Sequence, residues 1–305
     1  MSGRTPNLIT PTGHRSLADK AGNARARERK ENLVRVVLTV LMGLASIPLL
    51  LIVFEVVRNG IGVISWEFFT QAEPPPRHEG GGYAAGFVGT FIMVTWASVM
   101  AVPIGILAAI YLVDYGKGFM TGIIRFFTDV MTGIPSVFVG LAVYALVIIG
   151  SSGRIRFGAF PGAIALAVMM LPIVVRTSEE ILKTVPDELR QGAFALGARR
   201  WQTTLKVVLP AAGPGLATGS MLAVARGAGE TAPLILTAFG NIYITWALFN
   251  QAIGALTLQI YNGARQPFLA GIERAWGGAL SLLVIVLVLT VTARWIGSRA
   301  TLGGR

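Results

Sequence analysis

Residues 212–239 read AGPGLATGSMLAVARGAGETAPLILTAF. The stretch is apolar enough to cross a bilayer, yet it holds a charged island, Arg226 to Pro233, with Glu230 four residues after the arginine. A charge at membrane depth costs from roughly 2.5 to more than 10 kcal/mol, depending on how far it stays hydrated. Such residues face a protein interior, pair with one another, or handle a substrate. On a helix Arg226 and Glu230 stand one turn apart and can bridge. Two readings follow: an internal bridge that neutralises a buried arginine, or an arginine lining a polar pathway beside a tuning carboxylate. A guanidinium is always charged and its planar fork suits oxyanions. Gly227 and Gly229 leave room for a close neighbour.

The rest of the chain supports a membrane setting. Of 305 residues 53% are hydrophobic and 13% charged, and the mean hydropathy is +0.66. A soluble domain carries about 25% charged residues. Apolar runs of about 20 residues match the hydrocarbon thickness. They are continuous rather than alternating, which selects helices over barrel strands. There is no cysteine, so disulfides, thiolate metal sites and thiol nucleophiles are excluded. The two histidines, His14 and His78, lie in polar segments and argue against a multi-histidine metal centre.

The predicted spans are 34–57, 86–113, 131–150, 158–176, 207–239 and 276–297. Segment 207–239 is too long for a simple span, contains Pro210, Pro214 and the island, and is expected to break partway, with its end leaving the membrane. Thr132-Gly-Ile-Pro-Ser136 predicts a second break, inside the third span. Segment 240–275 mixes aromatic and polar residues and reads as an interfacial excursion. The chain divides into a basic tail (1–33), a permease region (34–298) and a short C-terminal tail (299–305). Net charge is +11, and eight basic residues lie in the first 35. With six spans and the N-terminus inside, nineteen of the 26 basic residues fall on inner segments and six on outer ones. This asymmetry favours both termini in the cytoplasm. The same tail reads as membrane-proximal rather than as a nucleic-acid arm.

The longest inner connection is 178–206. Thr184 with Asp187 three residues on suggests a capped helix start, and Pro186 is tolerated in a first turn. Asp187 and Glu188 suit the positive end of the helix dipole, and Gly197 suits its C-terminal exit. Leu189, Ala193 and Leu196 share one face. Such a helix either lies on its own protein or docks into a partner's groove. The chain has no phosphate-binding loop, since its only Gly-Lys pair is Gly116-Lys117. A pump built on it borrows its energy source.

Gln191-Gly192-Ala193, Gly197, and Val207-Val-Leu209-Pro210 resemble the EAA loop of ABC importer permeases. That loop reads Glu-Ala-Ala, three residues, Gly, nine residues, Ile, one residue, Leu-Pro. The spacing here is complete, with Gln191 for Glu, Gly192 for the first Ala and Val207 for Ile. Together with Thr132–Ser136, Leu171–Thr177 and Arg226–Pro233, these residues resemble the phosphate ABC importer permeases, most closely their A-type subunit. The resemblance implies an all-α integral membrane fold of six transmembrane helices, of the type I importer kind, in a prokaryotic inner membrane. It implies a C-type permease partner, a dimer of ATP-binding subunits that hold ATP-Mg, and an extracytoplasmic phosphate-binding protein. No cofactor belongs to this chain, which would contact membrane lipids and no nucleic acid. Arg226, Glu230, Arg176 and Thr231 would line the substrate pathway. Gln191, Gly192, Ala193, Gly197, Leu209 and Pro210 would couple it to the ATPase. The alternatives are an ABC permease for sulfate or molybdate, and an ATPase-independent channel or secondary transporter. A membrane-embedded enzyme lacks the nucleophile–base pair it would need.

Overall fold

A computed structural model describes residues 17–302 in backbone and 28–297 in side chain. Among them every regular element is helical, apart from one isolated bridge between Phe239 and Ile253. The chain divides into two compact units, residues 1–55 and 56–305. The first unit holds most of α1 (Leu17–Gly60), a 44-residue helix that begins well before the apolar run starts. The Thr39 and Ser46 hydroxyls each donate to the carbonyl one turn back, at 2.8 Å, as an apolar surrounding demands.

The second unit begins with the end of α1 and a short helix, α2 (Trp66–Thr70), capped by Ser65. Then come α3 (Ala84–Ile110), prolonged by a π turn at Tyr111–Tyr115, and α4 (Phe119–Gly133). Next is α5 (Ser136–Val143), prolonged by a π turn at Tyr144–Ile149, and then α6 (Ala159–Lys183). Two short helices follow, α7 (Asp187–Ala195) and α8 (Arg200–Thr203). A third π turn, Thr204–Val208, leads into α9 (Leu209–Ala228). The chain closes with α10 (Ala232–Thr237), α11 (Leu256–Ala264) and α12 (Leu269–Leu302).

Five stretches are long and apolar enough to cross a membrane: Glu28–Gly60, Ala84–Tyr115, Ala159–Lys183, Arg200–Ala228 and Leu269–Gly297. A sixth arises if α4 and α5 count as one span, but they meet at 110°. The bend falls where the sequence predicts it. Ile134 is extended (φ −74°, ψ 128°) ahead of Pro135, because a proline ring disfavours helical geometry in the residue before it. The expected third span, 131–150, is therefore corrected. Its first residues belong to α4, a helix in a stretch read from sequence as inner loop.

The core lies between α3, α6 and α9. Helices α3 and α6 run parallel, and small residues let them approach. A Cβ added to Gly105 would lie 2.6 Å from Val174 Cγ1. Helix α9 runs antiparallel to α6, with Gly227 against Met170 and Gly219 against Thr177. Met93, Leu166, Met170 and Val174 are completely or almost completely buried there, with Ala223 and Leu234. Helix α12 closes on α9, where the Thr218 hydroxyl donates to the Ala293 carbonyl at 3.0 Å.

Segment 240–275 departs from the interfacial reading in part. Tyr243, Trp246 and Phe249 are exposed, as expected of a membrane–water boundary. Residues 256–259 are buried instead. The Leu256 amide donates to the Thr90 hydroxyl at 2.9 Å, and Gln259 donates to Glu73 at 3.0 Å. In that cluster burial pushes the Glu73 carboxyl above its usual range, although the Gln259 hydrogen bond and the Arg274 charge oppose the shift.

Candidate translocation pathway and docking helix

Arg226 lies in the last turn of α9. Two amides close that turn: Gly229 donates to the Arg226 carbonyl at 3.1 Å and Glu230 to the Gly227 carbonyl at 3.2 Å. The chain then restarts as α10 at Ala232, with Pro233 in its first turn. The break expected somewhere in 207–239 thus falls at the island. It holds the Glu230 side chain inward, 12% exposed, while the Arg226 side chain is 63% exposed. The Nε of Arg226 donates to Glu230 Oε1 at 3.0 Å. The guanidinium has no other partner among the described residues. The Glu230 carbonyl accepts from the Thr257 hydroxyl at 3.0 Å, which ties the break to α11. Thr231 precedes α10, half-buried, and makes no capping bond with its side chain.

Arg176 is on α6. From the α6–α9 pairing it lies level with about Ser220, which places Arg226 roughly 9 Å further along the axis at 1.5 Å per residue. Arg176 is ion-paired through Nη2 with Asp129 of α4, and both side chains are half-exposed. Beside this pair, Glu179 is almost buried and accepts from Arg125 at 2.8 Å and Lys183 at 2.7 Å. The six charged residues Arg125, Asp129, Arg176, Glu179, Glu180 and Lys183 line a cleft of about 240 Å³. Asp129 and Arg125 are functional candidates absent from the sequence reading. The available signal was their i, i+4 spacing within the otherwise apolar FMTGIIRFFTDVMTG of α4.

Helix α7, the expected docking helix, starts at Asp187 after Pro186 and ends before Gly197, whose φ is +81°. A left-handed exit of this kind favours glycine. The start differs in one detail. Thr184 does not cap α7; its hydroxyl donates back to the Ile181 carbonyl at 2.7 Å and closes α6 instead. Leu196 is 91% exposed, and Leu189, Phe194 and Trp201 are about half exposed. Gln191 and Gly192 are exposed, Ala193 is half-buried, and nothing stands within 4 Å of a Cβ added at Gly192 or Gly197. Leu209 packs against the cluster of Leu182, Val208 and Leu216, and Pro210 occupies the exposed first turn of α9.

Residues 101–301 match the family described as "Binding-protein-dependent transport system inner membrane component". The phosphate transport system permease protein PstA of Yersinia pestis is 39% identical over 285 residues, 92% of this chain and 95% of that protein. The PstA of Xylella fastidiosa strain Temecula1 is 41% identical, over 78% of this chain and 82% of that protein. The chain belongs to the PstA permease family. It is a multi-pass component of an inner-membrane ABC transport system.

Solved structures agree on the fold of this PstA-family chain. A chain of a bacterial alginate ABC transporter, crystallised with an alginate-bound periplasmic protein, superposes with a TM-score of 0.60. It is 15% identical, with 91% of this chain and 97% of that chain covered. A chain of the inward-facing methionine transporter MetNI gives a TM-score of 0.51 at 19% identity, over 73% and 95% of the two chains. The type I importer permease fold follows, whatever cargo each transporter carries.

Proposed function

We propose that this chain is a pathway-forming permease subunit of an ATP-driven importer of inorganic phosphate. One observation carries the reading: an arginine at membrane depth, exposed over most of its side chain and held at a single atom by a carboxylate that is itself buried. Lipid is a costly surrounding for that guanidinium, so a second permease must cover it and leave a polar path between the two chains. Its terminal nitrogens then offer paired donors to an oxyanion. Glu230 competes for the same cation and keeps the anion from being trapped. Arg176 presents a second positive charge about 9 Å inward, again with a carboxylate beside it. The names of the PstA relatives support phosphate as the cargo.

The remaining assignments follow from family and surface. Helix α7, with Leu196 and Phe194 uncovered and Gly192 open to close approach, docks on one of two ATP-binding subunits, which hold ATP-Mg. A homologous C-type permease completes the path, and an extracytoplasmic binding protein delivers phosphate. Both termini are cytoplasmic, in line with the distribution of basic residues.

The test is uptake of radiolabelled phosphate into proteoliposomes holding the assembled complex with its binding protein and internal ATP. Uptake is expected to require ATP and the second permease, and to be displaced by unlabelled phosphate rather than by sulfate or molybdate. Equal displacement by sulfate would transfer the assignment to another oxyanion. Uptake by this chain alone, without ATP, would contradict it.

A further inference from the structure

Asp114 sits at the end of α3, inside the π turn Tyr111–Tyr115, and its side chain is only 5% exposed. Both of its oxygens are engaged by other elements. Arg190 of α7 pairs with Oδ1, and the Thr204 hydroxyl donates to Oδ2 at 2.6 Å. Thr204 opens the third π turn, Thr204–Val208, which feeds α9. Arg190 is also bound elsewhere, since its Nη2 donates to the Leu182 carbonyl in the last turn of α6 at 3.0 Å. One buried carboxylate thus gathers the inner ends of α3, α6 and α9 onto the docking helix. π turns are rare and concentrate at functional sites, and here both of those at the inner ends of spans meet at the same side chain.

The space behind α7 adds the second observation. A cavity of about 400 Å³ lies there, lined by Val113, Lys183, Val185, Phe194 and the Asp114–Arg190 pair. A helix beside a half-open cleft, with no buried residue of its own, is not held by close packing on that side, so directional bonds carry more of its attachment. A buried ion pair is a weak source of stability, because desolvation offsets much of the attraction. It is suited to fixing a geometry, since removing either partner strands the other's charge.

We propose that Asp114, Arg190 and Thr204 form a joint that transmits movement of α7 into the spans, with Asp114 as the positioning residue that sets how tightly ATP hydrolysis is coupled to transport. The proposal rests on the reading of α7 as a docking helix. The same carboxylate takes the push at Arg190 and passes it to α3 through its own backbone and to α9 through Thr204. The residues of the joint touch neither substrate nor nucleotide.

The test uses the purified complex of both permeases and the ATP-binding subunits in proteoliposomes, with the binding protein. Phosphate uptake and ATP hydrolysis are read from the same vesicles. Asp114→Asn removes the charge, and Thr204→Val removes only a hydroxyl at near-constant volume, so a folding defect in the first does not obscure the second. Both variants are expected to copurify with the ATP-binding subunits and to keep hydrolysing ATP. Phosphate moved per ATP is expected to fall about tenfold, inside the range typical of coupling between distant sites. An unchanged ratio in both variants overturns the joint. So does loss of the ATP-binding subunits from the Thr204→Val complex, which would make these residues part of docking itself. The docking reading is tested separately by Gly192→Trp, which fills the open face of α7. If that complex assembles and hydrolyses ATP normally, docking through α7 fails whatever the joint does.

Discussion

Two arginine–carboxylate pairs lie along the proposed path, and they are built differently. Arg226 and Glu230 belong to one turn of one segment, with their spacing set by local backbone and their burial unequal, 63% against 12% exposed. Arg176 and Asp129 come from separate helices, α6 and α4, and both are half-exposed, at 54% and 56%. In the outer pair the carboxylate is fixed and the arginine is the free party, so the bond survives any rigid-body movement of α9. The inner pair exists only while α4 and α6 keep their relation, and α4 joins α5 through a 110° bend. The outer pair is therefore a standing counter-charge. The inner pair would break, and free Arg176, in any movement that parted the two helices.

Substitutions that neutralise one carboxylate at a time sharpen this contrast. Glu230→Gln leaves Arg226 charged with no ionic competitor. Phosphate is then held longer, and the maximal uptake rate is expected to fall roughly tenfold, the scale of one charge-assisted hydrogen bond, while apparent affinity for phosphate rises. Rate and affinity falling together would show that Glu230 supports the fold and does not regulate the arginine. Asp129→Asn is expected to act more weakly. Half-exposed pairs contribute about 0.2–1 kcal/mol, so a two- to fivefold change in rate is the largest effect anticipated. Its signature is a shift in the inward-open population, read by spin-label distances between α4 and α6. No shift in that distance would remove the conformational role assigned to the inner pair.

Much of this architecture is legible in the sequence, because the bilayer leaves few solutions. Apolar runs of spanning length must be helices, and both interruptions announce themselves. Pro135 constrains Ile134 by local sterics, and the glycines around Arg226 mark the end of α9. The docking helix is readable for the same reason, through Pro186 at its start and Gly197 at its exit. Local chemistry misled in one place. Thr184 could serve either of two helices, and the backbone gave its hydroxyl a partner in α6 first. Helix α4 escaped notice because Arg125 and Asp129 lower its hydropathy, although they share one face. The burial of Leu256–Gln259 was hidden for a different reason. Their partners Thr90 and Glu73 lie 166 and 186 residues away, beyond any local pattern. The same holds for Asp129 with Arg176 and for Asp114 with Arg190, separated by 47 and 76 residues. Each charge is visible in the sequence, and only the fold chooses its partner.

The central claim is that Arg226 contacts the transported anion. Its most direct test is phosphate uptake by an Arg226→Ala complex, with assembly and ATP hydrolysis verified on the same preparation. Uptake is expected to fall about 10- to 100-fold, corresponding to the loss of hydrogen bonds to a charged ligand, and Arg226→Lys is expected to restore part of it by returning the charge without the fork. A fully assembled Arg226→Ala complex that imports phosphate at the normal rate would contradict the account.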